Sequence, residues 1–518
     1  MPKETPPKPG QPLNCTGWAR TEQVRDCHRE GDGVLFQRLK FALITHTSAG
    51  NHSALVLALG EFKRSNPMKK QTKPQLKQGL GLAAATALVV GNMIGSGIFM
   101  MPNTLATTSG PGASLIAWGF TGIGSILLAL TFANLGSRYP QTGGPYAFAK
   151  IAFGEFAGFI NAWSYWIGGC IGNAALLTAC AGYLAFFLPA VKANGMLAFG
   201  ITTAFLWLFT YINIKGVRGA GILNLITTVL KILPLLVFIL IGLHHFDIKL
   251  AGPMLPQGRG LATIPAAAAA TLWAFIGFET ATVTAGEIRN PGRNVRLSTI
   301  WGIALTTLVY LGISLIAMGT MSQQGLARSS SPLADIINQY SGGWGAALVA
   351  VGGCVSTLGA TFGWVLSTAR MSFATAEDDL FPRALAAVHP RYCTPHVSLI
   401  VSGIIANITL LLNYVSSLTA AYNFMILLAT LSFLPPYVFA AAAEIMLLAK
   451  RSSRFSLGNF IRSSLGSFLG FAYGIWAIYG SGAETAMYGF LLILIGIPVY
   501  VYMKLKTAAN QSAAQAEL

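Results

Sequence analysis

A glycine-rich segment, GNMIGSGIF (Gly91 to Phe99), lies in the middle of an apolar stretch long enough to cross a lipid bilayer. Glycines at this depth favour an interruption of the helix, which leaves backbone N–H and C=O groups where no water can bind them. Such a break is tolerated only where protein or a substrate cavity takes up the freed groups. It marks the central site of many secondary transporters, so this segment is the first candidate site.

Composition places the rest of the chain in the membrane as well. Of its 518 residues, 53% are hydrophobic and only 10% are charged. Apolar runs of about 20 residues, the length of a spanning helix, recur from about residue 80 to the end. We predict an all-α polytopic membrane protein with twelve transmembrane helices and short loops. Their centres lie near Ile94, Ile123, Ile167, Phe205, Leu235, Phe275, Leu308, Leu358, Ile404, Leu428, Ile475 and Leu492.

The net charge of +17 indicates membrane topology rather than a nucleic-acid partner. Lysine and arginine are frequent in alternate loops and rare in the intervening ones, which hold only Lys192, Lys249, Arg259 and Arg328. Under the positive-inside rule, this alternation predicts that the N- and C-termini both face the cytoplasm. The number of spans is then even.

Three segments of different character are predicted along the chain. Residues 1–67 form an N-terminal extension whose apolar pieces are too short to span, residues 68–507 form the transporter domain, and residues 508–518 form a polar tail. Met68 precedes the basic leader KKQTKPQLKQGLG, which indicates that the functional chain begins there. Alternatively, the extension is a disordered regulatory tail or an amphipathic helix on the membrane surface.

A second interruption is predicted in the sixth span, where Gly277 lies between bulky residues and Glu279 follows two positions later. A lone glycine in a membrane helix is more often a packing contact. Spans one and six correspond, however, if helices one to five and six to ten are inverted repeats. Half-helix ends at both breaks would then bind the carboxylate and ammonium of an α-amino acid. The residues expected at the breaks are Asn92, Ser96 and Gly97 in the first, and Phe275, Ile276 and Gly277 in the second.

Two ionisable side chains lie deep in predicted spans. Glu279 is a candidate proton carrier or counter-ion for a cation, and the alternative is a protonated carboxyl that hydrogen-bonds a neighbouring helix. Lys231 either faces the bundle interior, where it could take the place of a coupling cation, or snorkels toward the cytoplasmic surface.

Other classes of protein are less consistent with the pattern. An integral-membrane enzyme would need a catalytic constellation, but the chain has no HExxH pair and no paired aspartates in a span. Cys15, Cys27 and His28 fit no zinc spacing, so we predict no metal and no cofactor. Composition alone does not separate a channel or receptor from a carrier. The pair of broken helices with one buried acid favours a carrier.

Across about residues 75 to 505 the chain resembles the amino acid–polyamine–organocation superfamily. The resemblance is greatest to its basic amino acid and polyamine antiporter branch, which includes arginine/agmatine exchangers. It rests on the following segments: GNMIGSGIFMMP (Gly91 to Pro102), SRYPQTGGPYAFAKIAFGEFAGF (Ser137 to Phe159), SYWIGGCIGN (Ser164 to Asn173), TLWAFIGFETA (Thr271 to Ala281), EIRNPGRNV (Glu287 to Val295) and GATFGWVLSTARMSFATAEDDLFP (Gly359 to Pro382).

The resemblance implies a 5+5 inverted repeat with discontinuous helices one and six, two additional C-terminal helices, and alternating access in a bacterial inner membrane. It also implies a tendency to pair as a homodimer within membrane lipid. The residues it assigns to substrate binding are Asn92, Met93, Ser96, Gly97, Asn173, Trp273, Ile276, Gly277 and Trp364. Trp273 would close the outer pathway and Tyr165 the inner one, and Glu279 would link transport to protons. Without the resemblance, aromatic residues at such positions are more often core packing.

Three features depart from that branch. Gly168, Gly169 and Cys170 replace bulkier residues, which implies a wider or differently shaped side-chain pocket. Arg296 replaces a proline, and Lys231 is more typical of proton-coupled permeases. The leading function is exchange of arginine, ornithine or lysine for its amine or another amino acid. The alternative is a proton-coupled amino acid symporter of broader or neutral specificity.

Overall fold

The computed structural model describes residues 81–140, 143–215, 220–256, 260–283, 285, 288–392, 394–413, 418–451 and 457–516. The predicted extension 1–67 and the lysines of the basic leader lie outside the described residues. The chain divides into two units, one of residues 77–388 with 394–518 and the other of residues 1–76 with 389–393. In the described part of the second unit, the His389 ring accepts the backbone N–H groups of Arg391 and Tyr392.

Within the described residues, the larger unit is built from helices, as the apolar runs predict. They are α1 (Leu82–Met93), α2 (Gly97–Thr108), α3 (Pro111–Arg138), α4 (Pro145–Phe153), α5 (Glu155–Leu184), α6 (Ala190–Ala193), α7 (Gly195–Lys215), α8 (Ala220–His244), α9 (Ile264–Phe275), α10 (Thr280–Val283), α11 (Pro291–Met318), α12 (Gln323–Arg328), α13 (Pro332–Ser341), α14 (Gly343–Glu377), α15 (His396–Asn413), α16 (Leu418–Arg451), α17 (Leu457–Gly480) and α18 (Ala483–Ala516).

Among these described helices, nine are long and apolar enough to cross a membrane, counting α1 and α2 as one, and two more apolar helices are shorter. Each centre predicted from the sequence lies on a helix, except Ile94, which lies in the gap between α1 and α2. Several helices begin with a proline in their first turn, where its missing N–H has no intrahelical partner to lose. The chain is therefore a multi-pass membrane protein.

The bundle is organised around α5, which packs along α14 and α16 and is buried over most of its length.

Outside the spans, the short helix α4 is fixed to the end of α14. The Tyr146 hydroxyl donates to Asp378 Oδ2 at 2.5 Å, and Lys150 Nζ lies 2.8 Å from the same oxygen. Burial and the neighbouring carboxylate raise the pKa of Tyr146, so it stays a proton donor.

Candidate functional site

The first interruption lies between α1 and α2. Ile94 leaves the helical conformation with φ −75° and ψ 80°, and the helix resumes at Gly97. The carbonyl oxygens freed there are hydrogen-bonded by a residue of α14, because the Ser356 hydroxyl lies 3.0 Å from Ile94 O and 3.1 Å from Gly95 O. A neighbouring helix thus satisfies the broken backbone, as the membrane interior requires.

The second interruption lies between α9 and α10. Ile276 is extended, and Gly277 has φ +122°, a conformation that side-chain-bearing residues rarely adopt. An ideal Cβ on Gly277 would lie 3.0 Å from the carbonyl carbon of Asn92 and 3.1 Å from the backbone nitrogen of Met93. The two interrupted segments are therefore in direct backbone contact, and both breaks occur where the glycines predict them.

Polar side chains connect the two breaks. Asn92 Nδ2 donates to Thr280 Oγ1 at 3.1 Å, and Trp273 Nε1 donates to Ser96 Oγ at 3.1 Å. The Tyr310 hydroxyl lies 2.6 Å from Met93 O and 2.9 Å from Ala274 O, so one donor serves the carbonyl ends of both α1 and α9. The breaks form one hydrogen-bonded unit.

A small cavity lies beside this unit, with a volume of about 20 Å³. That is room for about one water molecule, so an amino acid enters only if the lining residues move. None of the described lining residues carries a charge. Its polar side is formed by Asn92 and Ser96, and its apolar side includes Trp273, Trp364 and Phe433.

Glu279 lies outside this lining and is fully buried. Its Oε2 accepts the Gly277 backbone N–H at 3.0 Å and the Tyr437 hydroxyl at 2.9 Å, and its Oε1 accepts the Tyr165 hydroxyl at 3.3 Å. The Tyr165 ring packs edge-on against Phe433, with the centroids 4.9 Å apart, and Phe433 lines the cavity. Tyr165 therefore contacts both the cavity wall and the carboxyl group.

Lys231 faces the bundle interior and does not snorkel. Its side chain is fully buried, and Nζ donates to Gly91 O at 2.7 Å. The Lys231 amino group thus takes up a carbonyl oxygen in the last turn of α1, next to the first break. It lies outside the cavity lining described above.

The sequence matches a known family. The family model described as "Amino acid permease" matches residues 80–511. The chain belongs to the amino acid permease family. Since that family consists of membrane transporters, this permease is a transporter of amino acids and not an enzyme.

Curated relatives cover most of the permease. It is 32% identical over 451 residues to the arginine/ornithine antiporter of Pseudomonas aeruginosa, with 82% of this chain and 91% of the relative covered. A putative arginine/ornithine antiporter of Bacillus subtilis is 31% identical, with coverage of 84% and 98%. The arginine/agmatine antiporter of Chlamydia abortus is also 31% identical, with coverage of 82% and 90%.

Only some of the residues singled out from the sequence line the cavity of the permease. Asn92, Met93, Ser96, Gly97, Trp273, Ile276 and Trp364 line the cavity. Gly277 packs against the lining residue Asn92. Tyr165 packs against the lining residue Phe433, and its hydroxyl donates to Glu279. Asn173 is outside the lining. Its Nδ2 donates to Gly169 O at 2.9 Å, and its Oδ1 is buried without a partner.

Four side chains that position the site were missed from the sequence: Ser356, Tyr310, Tyr422 and Tyr437. Tyr422 donates to Ser96 Oγ at 3.2 Å, which places α16 next to α2. A single tyrosine or serine in an apolar helix has no distinguishing pattern. Tyr437 directly follows two consecutive prolines inside α16, which is the one local indication of an irregular helix there.

The glycines of α5 do not widen the pocket. An ideal Cβ would lie 2.9 Å from Ser432 Cβ at Gly168, and 2.3 Å from Thr368 Oγ1 at Gly169. Side chains from α16 and α14 fill the volume that bulkier residues would take.

Proposed function

We propose that this permease is an antiporter that exchanges a basic amino acid, such as arginine, ornithine or lysine, for its amine or for another amino acid. The observation that carries the proposal is the contact between two broken helices around an uncharged, aromatic cavity. Indole and phenyl faces attract a cationic side chain, and no lining residue in the described structure repels it. The relatives described above are arginine/ornithine and arginine/agmatine antiporters, which supports the same substrate class.

The two half-helix ends supply the contacts for the amino acid backbone. The N-terminus of α2 at Gly97 offers N–H groups and a positive dipole end to the carboxylate. The carbonyl ends of α1 and α9 suit the α-ammonium, and Asn92 Oδ1 is a buried acceptor without a partner. Met93, Ile276 and Gly277 shape this clamp, Asn173 approaches from α5, and Trp364 packs on the substrate side chain.

The architecture that we propose around this clamp has twelve spans in a 5+5 inverted repeat with two further C-terminal helices. In it α1 with α2 forms the first span, and α9 with α10 forms the sixth. Both termini face the cytoplasm of a bacterial inner membrane, residues 1–67 are an extension of the 68–507 transporter domain, and two copies pair within the lipid. Trp273 closes the outer pathway, and Tyr165 closes the inner one.

Transport into liposomes tests the mode of exchange. We expect radiolabelled arginine to enter liposomes that contain unlabelled arginine or ornithine, and to stay outside liposomes with an empty lumen. An obligate exchanger needs a substrate on the inner side to return. Uptake into empty liposomes on imposing an inward proton gradient would contradict exchange.

Proton-driven uptake into empty liposomes would instead support the alternative, a proton-coupled symporter of broader or neutral specificity. The contact that favours this alternative is the bond from Lys231 Nζ to Gly91 O, since an ammonium beside the first break occupies a position suited to a coupling cation.

A proton-linked role of Glu279 predicts a change in pH dependence. Glu279→Gln keeps the shape of the side chain but removes its ability to ionise, so we expect the pH profile of exchange between pH 5 and 8 to flatten. Glu484→Gln, at an exposed residue of α18, is the matched control and should leave the profile unchanged. A Glu279→Gln profile that coincides with the wild-type curve would rule the role out.

A further inference from the structure

The contact between Gly169 and Thr368 joins the cavity wall to a polar group behind it. Gly169 on α5 lines the cavity, and Thr368 on α14 lies one turn beyond the lining residue Trp364. An ideal Cβ on Gly169 would lie 2.3 Å from Thr368 Oγ1 and 3.0 Å from its Cγ2. The threonine therefore occupies the volume of an absent side chain at 169, and its hydroxyl packs against a residue of the cavity wall.

The orientation of this hydroxyl is unusual within its own helix. Thr357, Thr361 and Thr375 each donate to the carbonyl four residues earlier, at 2.8–2.9 Å. Thr368 makes no such bond, and its Oγ1 is fully buried with no hydrogen-bond partner. A buried hydroxyl without a partner costs free energy, so a group that arrives from the cavity and bonds it recovers that cost.

A second oxygen without a partner lies next to the same glycine. Asn173 Nδ2 donates to Gly169 O, which leaves Asn173 Oδ1 buried and unbonded. Gly169 is therefore in contact with two residues that each carry an unsatisfied oxygen atom, Asn173 on α5 and Thr368 on α14. Both can accept hydrogen bonds from a cationic group that carries several N–H donors.

We propose that Thr368 is a specificity-determining residue, whose hydroxyl, together with Asn173 Oδ1, binds the N–H groups at the end of a basic substrate's side chain once the cavity wall at Gly169 moves to admit it. The proposal rests on the function proposed above and adds to it how a cationic side chain is distinguished from an apolar one. An apolar side chain of similar length leaves both oxygens unsatisfied.

Binding to the purified, full-length protein tests the proposal, with arginine and the apolar amino acid norleucine as probes. Thr368→Val replaces the hydroxyl by a methyl group of similar size, and we expect the Kd for arginine to rise about tenfold while that for norleucine stays the same. Thr368→Ser, which restores the hydroxyl, should restore the wild-type ratio. Thr361→Val removes a hydroxyl that is already bonded within α14, and it should leave the ratio unchanged.

A relocated hydroxyl provides a second test that does not depend on the stability of the valine variant. Thr368→Ala should lose the preference for arginine, and Gly169→Ser combined with Thr368→Ala should recover it, because the hydroxyl then projects from α5 into the same volume. An unchanged arginine-to-norleucine ratio in Thr368→Val or Thr368→Ala overturns the proposal. Failure of the wild-type protein to bind arginine, ornithine or lysine overturns the proposed function itself.

Discussion

Gly277→Ala is expected to reduce exchange by at least about tenfold at normal expression. Alanine rarely adopts a φ of +122°, and residues held in such regions cost about 1–3 kcal/mol. The new methyl group would also lie 3.0–3.2 Å from Asn92 and Met93 backbone and Asn92 Cβ atoms, so the two breaks must separate. A shift of a few tenths of an ångström would lengthen and weaken the 3.1 Å bond from Asn92 to Thr280.

The measurement is the initial rate of exchange in liposomes, divided by the amount of protein in the vesicles. Gly312→Ala is the matched control, because Gly312 lies within α11 and a Cβ there meets no atom within 4 Å. That variant gains helix propensity of up to about 1 kcal/mol and should transport normally. If Gly277→Ala retained more than half of the wild-type rate, close contact of the breaks would be unnecessary for transport.

Trp273→Ala is expected to have the second largest effect. The indole ring lies over Gly172, where an ideal Cβ would meet its Cη2 at 3.1 Å, and its N–H is bonded to Ser96. Loss of a desolvated cation–π contact of about 2 kcal/mol corresponds to about 30-fold weaker binding of a cationic substrate. Removal of the ring also opens the proposed outer gate.

Two variants separate these effects in the same exchange and binding assays. Trp273→Phe keeps an aromatic face but loses the bond to Ser96, so we expect an intermediate affinity. Trp301→Ala removes an equally large ring that is 61% exposed on α11, and exchange should be unaffected. Wild-type uptake by Trp273→Ala, at equal expression, would refute both closure and stacking by this residue.

The breaks were predictable from the sequence, but on different grounds. The clustered glycines next to Asn92 and Ser96 interrupt one apolar run by local composition alone, whereas Gly277 became a candidate because its span corresponds to the first one in an inverted repeat. The family model and the relatives agree with the transporter function that these segments indicated.

The groups that satisfy the breaks were not predictable, since they come from helices far away in the chain. Ser356 caps the first break from α14, more than 250 residues later, and Tyr310 approaches both breaks from α11. Lys231 illustrates the same limit. Its sequence context was compatible with an interior or a surface position, and only the packing of α8 against α1 places its ammonium on Gly91 O.

The Tyr310 hydroxyl has a mechanical consequence. Its single proton is shared between carbonyl oxygens in the last turns of α1 and α9. One hydroxyl thus links two half-helices from different parts of the chain. In the exchange mechanism proposed above, this shared bond would make the two half-helices tilt together. It would thereby link opening toward one face of the membrane to closure toward the opposite face.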